Sequence, residues 1–338
     1  MKRATRFAFF DLRLLIALLV FFAGAILGLL ARANPKAVTH APGRYLRPFP
    51  SGGVQEAWVA RYAGAGWDVA KGIGVDGSGN IYVTGTSSDD YATIKYSPVG
   101  QELWVARYDG AGTVDGANAI AVDSSGNVCV TGAIATETAG LDYATVKYNS
   151  AGQEQWVARY NGPGDGEDQA NAIAIDSSDN VYVTGQAYVG GGTDCCDYAT
   201  IKYNPAGGKE WVVLYSGPGN GGDGAHAIAI DGSDDVYVTG VSAGGRATIK
   251  YNGVGQEQWV ARYDSAVATA IAVDGSGNVY VTGWGNYGAF GDYVTIKYVQ
   301  GVTPTPTPTA TPTGTPGPRP RPTPHPRPSP HPRPLLLP

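Results

Sequence analysis

Short segments of alternating apolar and polar residues recur along residues 56–298, separated by Gly, Asn, Asp or Ser. Four segments follow one another in fixed order in each repeat: AIAVD, NVYVTG, YATIKY and WVARY, with small variations. Segments this short, rich in Val, Ile, Thr, Tyr and Trp and bounded by turn-forming residues, are typical of β-strands. We name the four strands of a repeat A, B, C and D. The tryptophan of strand D occurs as Trp58, Trp104, Trp156, Trp211 and Trp259.

The number and order of these strands predict the architecture. Four strands in roughly 48 residues correspond to one antiparallel blade of a β-propeller. The series begins with a lone strand D at residues 58–62 and ends after a fifth strand C at Tyr298. An N-terminal strand that completes the last blade would close the ring and leave no free sheet edge. We therefore predict an all-β, five-bladed propeller over residues 56–298. The alternative is that the five repeats are a fragment of a larger assembly.

The two ends of the chain have different compositions. Residues 1–33 combine basic residues, an uncharged run at 14–30 and the sequence Ala-Arg-Ala at 31–33. This pattern predicts a signal peptide or an N-terminal membrane anchor. Residues 34–55 are interpreted as a linker. Residues 299–338 contain 15 of the 23 prolines, which predicts a disordered, extended Pro/Thr-rich tail.

Charge limits the choice of partners. The chain of 338 residues has a formal net charge of −5, but residues 51–298 hold 12 basic and 28 acidic residues. An acidic propeller repels phosphate backbones, so we expect no nucleic-acid partner. No cofactor is expected, and a monomer is expected. The export segment places the protein outside the cytoplasm, secreted or at the cell surface, with membrane contact only through an uncleaved N-terminal segment.

The repeat also resembles a known family. The sequences DGSGNVYVTG at 274–283, DYATIKYN at 197–204 and AGQEQWVARY at 151–160 are similar to the SBBP β-propeller repeat. The resemblance recurs five times, whereas the name of the family refers to seven-bladed propellers. It implies an extracytoplasmic β-propeller and brings no catalytic residues with it.

Loop lengths distinguish the two faces of the predicted propeller. The A–B turn has four residues in every repeat, and the C–D link has seven in each of its four copies. We name the side that carries these turns the constant face. The B–C loops vary between 5 and 12 residues and the D–A loops between 4 and 9. Binding surfaces are usually built from divergent loops on a rigid frame, so this variable face is the candidate functional face. Drift of unselected loops is the alternative.

Two groups of residues on the variable face are candidate binding residues. The first is an incomplete ring in which an Asp precedes a polar residue by three positions: Asp68 and Lys71, Asp115 and Asn118, Asp168 and Asn171, and Asp223 and His226. Such a ring would hold a cation or sugar hydroxyls, but a repeated Asp at this position more often caps a turn. The second group is aromatic and consists of Trp67, Trp284, Tyr287 and Phe290. These side chains would stack on sugars or peptides, or instead cover the seam where the ring closes.

Cysteine, histidine and the short turns add little catalytic chemistry. Cys195 and Cys196 are adjacent and would form a vicinal disulfide in an oxidising compartment, whereas Cys129 replaces a strand tyrosine and is expected to be inert. His226 lacks a matched nucleophile and is expected to be structural. The oxygens of Asp76, Ser78 and Asn80 are spaced like the start of a calcium loop, but a hairpin turn explains the same residues.

These observations favour an exported, non-catalytic β-propeller that binds a protein or glycan through the variable face. One alternative is a five-bladed carbohydrate-active hydrolase, which requires two distinct carboxylates on opposite sides of the scissile bond. The acidic residues here are mostly equivalent from repeat to repeat, which argues against separate acid and base roles. A purely structural envelope protein is the other alternative.

Overall fold

A computed structural model describes residues 55–300 except 111–113, 137–139, 192–195, 220, 244, 265 and 287–290. The predicted export segment and nearly all of the predicted linker and tail lie outside the described residues. No helix in the described part of the chain has the length and apolar composition needed to cross a bilayer. The compact unit that contains the sheets ends at Tyr298.

The described residues form five antiparallel sheets whose strands follow one another in chain order. The first sheet contains β1 (Asp68–Val75), β2 (Ile81–Ser87), β3 (Asp90–Tyr96) and β4 (Glu102–Tyr108). The second contains β5 (Asp115–Val122), β6 (Val128–Thr136), β7 (Gly140–Tyr148) and β8 (Glu154–Tyr160). The third contains β9 (Gln169–Ile175), β10 (Val181–Tyr188), β11 (Cys196–Tyr203) and β12 (Lys209–Tyr215). The fourth contains β13 (Gly224–Ile230), β14 (Val236–Ser242), β15 (Gly245–Tyr251) and β16 (Glu257–Asp264), and the fifth contains β17 (Ala266–Val273), β18 (Val279–Asn286) and β19 (Gly291–Tyr298).

Neighbouring sheets meet through their first strands. β1 lies beside β5, β5 beside β9, β9 beside β13 and β13 beside β17, so strand A is the innermost strand of each sheet. This arrangement confirms the prediction of an all-β protein made of four-stranded antiparallel units that have the form of propeller blades.

The apolar core lies between the sheets rather than within a single one. Tyr82 and Tyr91 of the first sheet are fully buried and pack against Val128 and Val130 of the second. The equivalent residues pack together at the next two junctions, with Cys129 in place of the strand B tyrosine at the first of these. Strands B and C are therefore covered on both sides, which explains why they read as nearly continuous runs of Val, Ile, Tyr and Thr instead of alternating with charges.

Each strand A contains a β-bulge, and the bulge requires a glycine in strand B. Between β1 and β2 the register shifts between Ala70 and Gly72, next to Gly85. A Cβ atom on Gly85 would lie 1.9 Å from the carbonyl oxygen of Val69, far inside van der Waals contact. The last residue of the NVYVTG segment is therefore glycine because the backbone of strand A approaches it too closely for any side chain.

The fifth sheet lacks strand D in this structure. It has three strands, and residues 58–62 are not part of a strand. The closed ring of five complete blades is thus not observed and stays a prediction. Trp58 nevertheless contacts the first sheet: its ring lies 6.3 Å from that of Tyr96, and a Cβ atom on Gly100 would lie 2.6 Å from it.

Candidate functional site: the variable face

The constant face is built from hydrogen-bonded hairpin turns. Asp76 Oδ1 accepts hydrogen bonds from the backbone N–H groups of Ser78 and Asn80, both at 2.9 Å. Its Oδ2 accepts hydrogen bonds from Asn80 Nδ2 at 2.8 Å and from the Tyr82 hydroxyl at 2.9 Å. Burial alone would raise the pKa of Asp76, but these hydrogen bonds outweigh it and lower the pKa to about 2. Both oxygens are engaged within the turn, which is the arrangement expected of a hairpin.

In the second blade the turn carboxylate, Asp123, has a different side-chain partner. Cys129 stands where the other blades have the tyrosine that donates to the turn carboxylate. Lys147 Nζ lies 3.2 Å from Asp123 Oδ2 in a pair whose side chains are 7% and 0% exposed. Burial raises the pKa of the Cys129 thiol to about 12, so the group is protonated and inert at neutral pH.

Each carboxylate of the predicted ring accepts a hydrogen bond from a backbone N–H group. Asp115, Asp168 and Asp223 are buried, and the Oδ2 atom of each accepts a hydrogen bond from a glycine N–H of the preceding D–A loop, at 2.5–2.7 Å. Asp68 makes the corresponding contact with Gly64 at 2.8 Å. These contacts are the ones expected of turn caps. Burial, which outweighs the hydrogen bonds, raises the pKa of both Asp115 and Asp168.

The polar partners of the aspartates lie on the bulges of strand A and link one blade to the next. Asn118 Nδ2 donates to the carbonyl of Ala170 and Asn171 Nδ2 to that of Ala225, both at 2.9 Å. His226 Nδ1 lies 2.9 Å from the carbonyl oxygen of Ala268. Lys71 Nζ donates to Asn118 Oδ1 at 2.8 Å. The bulge turns each of these side chains out of its sheet, so that it contacts strand A of the following blade.

The described aromatic candidates are open to solvent on the variable face. The side chain of Trp67 is 88% exposed, and the backbone of this residue accepts a hydrogen bond from the N–H of Ser88 in the first B–C loop. Trp284 is 49% exposed and lies opposite Tyr293, which is 97% exposed. Tyr287 and Phe290 lie outside the described residues. Cys195 does too, so the predicted vicinal disulfide is not tested, and Cys196 begins β11.

Acidic residues at the start of strand C complete clusters that the sequence analysis did not single out. One carboxylate oxygen from each of Asp90, Asp109 and Asp115 lies within 4.8 Å of the others. At the next junction the Oδ1 atom of Asp142 is buried and has no hydrogen-bond partner in the described part of the chain. Burial, followed by the charge of Asp168, raises the pKa of Asp142. The signal was available, because an Asp precedes the first Tyr of strand C in four of the five repeats.

Comparisons with known proteins agree with the repeat. Residues 57–92, 155–192 and 258–288 match the SBBP β-propeller repeat, which confirms the resemblance stated from the sequence. No curated protein matches the chain. A protein of unknown function from Bacteroides caccae is 13% identical, with 68% of this chain and 76% of that chain covered and a TM-score of 0.43.

Two further solved structures have the same level of similarity. A protein from Lactobacillus plantarum is 12% identical, over 70% of this chain and 72% of that chain, with a TM-score of 0.45. A gluconolactonase from Xanthomonas campestris is 13% identical, over 63% of this chain and 69% of that chain, with a TM-score of 0.40. Similarity at this level carries no argument about activity.

Proposed function

We propose that this chain is an exported, non-catalytic β-propeller that binds a protein or glycan through its variable face. The observation that carries the proposal is the 88% exposure of Trp67, which lies in a D–A loop of the variable face. Exposed tryptophans on a rigid frame supply large, stiff contact surfaces for sugars and peptides. Because the aspartates of the ring accept hydrogen bonds from backbone N–H groups of the D–A loops, they hold these loops in place, and the aromatic residues are the main binding groups.

The binding frame is proposed to be a closed ring of five blades. Tyr91, Tyr143 and Tyr198, which begin strand C in the first three blades, are at most 1% exposed because the following blade covers them. Their equivalent in the fifth sheet, Tyr293, is 97% exposed. A cavity of about 340 Å³ lies on the first sheet between Trp58 and Ile73. Closure would place the fifth sheet against this cavity and bury Tyr293, with residues 58–62 as its strand D.

The chain direction supports presentation of the variable face away from an N-terminal anchor. Trp58 lies at the C–D link of the first sheet, whereas Gly64 lies at the first D–A loop. The chain therefore enters the propeller at the constant face. A cleaved signal peptide or an uncleaved anchor would both leave the variable face free for a ligand outside the cytoplasm.

The proposal is tested with the full chain on a glycan array and against extracellular proteins of the source. Trp67→Ala and Trp284→Ala are expected to lower the affinity for a captured ligand at least tenfold, while the circular dichroism spectrum stays unchanged. Val99→Ala is the matched control, because Val99 is an exposed apolar residue of a C–D link on the constant face. An equal loss of affinity in Val99→Ala, or no loss of affinity in either tryptophan variant, would show that the variable face is not the binding surface.

A further inference from the structure

One junction between blades differs from the others in charge. At three junctions a buried tyrosine that begins strand C lies near a buried aspartate of the next blade. The pairs are Tyr91 with Asp115, Tyr143 with Asp168, and Tyr198 with Asp223. Burial first, and then the negative charge of the aspartate, holds the pKa of Tyr91 and of Tyr143 well above the usual range.

Both members of this pair are replaced at the junction of the fourth and fifth sheets. Arg246 occupies the position of the tyrosine and Ala266 that of the aspartate. The acid that precedes the tyrosine in the other repeats is also missing, because Gly245 stands there. At this junction two acidic positions have thus become neutral and the tyrosine position has become basic. No other junction in the sequence shows this combination.

The guanidinium of Arg246 is buried and has no hydrogen-bond partner among the residues that the structure describes. The residue is 1% exposed, and no described residue supplies an acceptor to Nε, Nη1 or Nη2. The guanidinium lies over the ring of Tyr263, 4.7 Å from its centroid. This contact with the ring face offers electrostatic attraction but no acceptor for the five N–H donors. Tyr263 is 36% exposed, so the guanidinium lies one side chain below the surface.

Nearby groups do not neutralise this charge within the described residues. Asp264 is on the strand next to Arg246 but is exposed and forms no ion pair with it. The tyrosines that Arg246 replaces each donate a hydrogen bond to a strand C carbonyl of the next blade, such as Ala144 at 3.2 Å from Tyr91. A buried, unpaired guanidinium is costly unless an anion accepts its hydrogen bonds.

We propose that Arg246 is the recognition group of an oxyanion subsite, where a carboxylate or sulfate takes the place that Asp115, Asp168 and Asp223 fill at the other junctions. The planar fork of the guanidinium matches two oxygens of such a group. The subsite lies at the variable-face end of strand C. The proposed function enters this inference at one point only: it identifies the anion as an acidic group of the ligand bound on the variable face.

The test is thermal unfolding of the full chain with sodium sulfate or sodium acetate, against sodium chloride at the same ionic strength. At about ten times the dissociation constant, the specific anion is expected to raise the Tm by about 3–5 °C more than chloride. Sulfate also stabilises proteins non-specifically, so the comparison of variants decides the result.

Arg246→Tyr restores the residue of the other repeats and is expected to fold and lose the specific gain. Ala266→Asp supplies an internal carboxylate and is expected to raise the Tm and lose the response to added anion. Arg159→Gln removes an arginine that is already hydrogen-bonded to Tyr108 and Gly110, so this control should keep the full response.

A direct measurement does not depend on the folding of the variants. Titration with sulfate or acetate should shift the Nε–H resonance of Arg246 in an NMR spectrum of the wild-type chain. An unshifted resonance, or an equal specific gain in Tm for Arg246→Tyr, would overturn the proposal. If the anion binds but Trp67→Ala and Trp284→Ala leave ligand binding intact, the subsite stands and the proposed function fails.

Discussion

The indole Nε1 of Trp58 donates a hydrogen bond to the carbonyl oxygen of Pro98 at 3.2 Å. Trp104 makes the equivalent bond to Ser150 at 3.1 Å, from strand D of the first sheet to the C–D link of the second. Trp58 therefore holds the position of a strand D tryptophan in a sheet that precedes the first. The fifth sheet is the one that has no strand D, so the two incomplete parts are complementary.

Ring closure predicts a specific cross-link. In the first sheet Val105 pairs with Ile94, and in the fourth sheet Val260 pairs with Ile249. The same register in a closed ring pairs Val59 with Ile296, so Val59→Cys combined with Ile296→Cys should form a disulfide under mild oxidation. Mass spectrometry of the monomer identifies the bond.

The control for this cross-link is a shift of register by one residue. Val59→Cys combined with Lys297→Cys places the two thiols on opposite sides of the sheet, where no bond is expected. A cross-link found only between two chains would show that the ring closes by exchange of the N-terminal segment between copies. No cross-link in either form would rule out the proposed closure.

Trp58 and Trp67 lie close together in the sequence, but their replacement is expected to affect stability differently. Trp58 packs against Tyr96, so Trp58→Ala should lower the free energy of unfolding by about 2–4 kcal/mol. Trp67 is 88% exposed, and Trp67→Ala should change it by less than about 0.5 kcal/mol. Urea denaturation followed by circular dichroism measures both, and equal values would contradict the assigned position of Trp58.

The buried pair of Lys147 and Asp123 is expected to be important for the second blade. Lys147→Met leaves the carboxylate buried without a cation, and the free energy of unfolding should fall by about 3 kcal/mol. Lys202→Met is the matched control in the third blade, because its partner Glu210 is 41% exposed and the pair is worth less. Chemical denaturation of the two variants makes the comparison, and a larger loss for Lys202→Met would show that the ion pair is not the cause.

Stability is expected to be highest at mildly acidic pH. The pKa of Asp76 lies at about 2, below its ordinary value, so its stabilising contribution is present above about pH 4 and is lost as the pH falls further. The raised pKa values of Asp115 and Asp168 act in the opposite sense, because their protonated forms favour the folded state. This second contribution is complete below about pH 4 and is lost as the pH rises through the raised values.

Urea denaturation between about pH 2 and pH 8 tests this profile. Asp115→Asn should reduce the gain in stability on mild acidification, because it removes one carboxyl group whose pKa is raised in the folded state. Asp76→Asn should instead weaken the decline at the acidic end. Stability that increases steadily from acid to neutral pH in the wild-type chain would contradict the assignment of the raised carboxylates.

Cys129 is expected to resist modification in the folded state. Its side chain is fully buried, and burial raises the pKa of the thiol to about 12. Iodoacetamide at pH 8 should label Cys129 only after unfolding, which peptide mass spectrometry detects. Rapid labelling of this residue in the native protein would show that the junction between the second and third blades opens readily.

The sequence determined the strands and their order, because each short segment carries its own pattern of β-branched and aromatic residues between Gly, Asn and Asp. The positions of strands B and C in all five repeats agree closely with the observed elements, and so do those of strand D in the four sheets that contain it, whereas the predicted strand at 58–62 is not observed. The bulge at Asn118 and its equivalents was not predicted. A bulge depends on the pairing of two strands and leaves no mark in the composition of one strand.

The fate of polar residues was decided by the tertiary structure. Asp115 and Asp168 have the same sequence pattern whether they face a channel or cap a loop, and only the folded D–A loops bring the glycine N–H groups to them. Arg246 is one more charged residue in the sequence, and only the folded structure shows that it is buried against the ring of Tyr263. The sequence alone indicates which segments have the pattern of a strand because that pattern is local, whereas the pairing of residues 58–62, burial and charge pairing depend on neighbours that are far away along the chain.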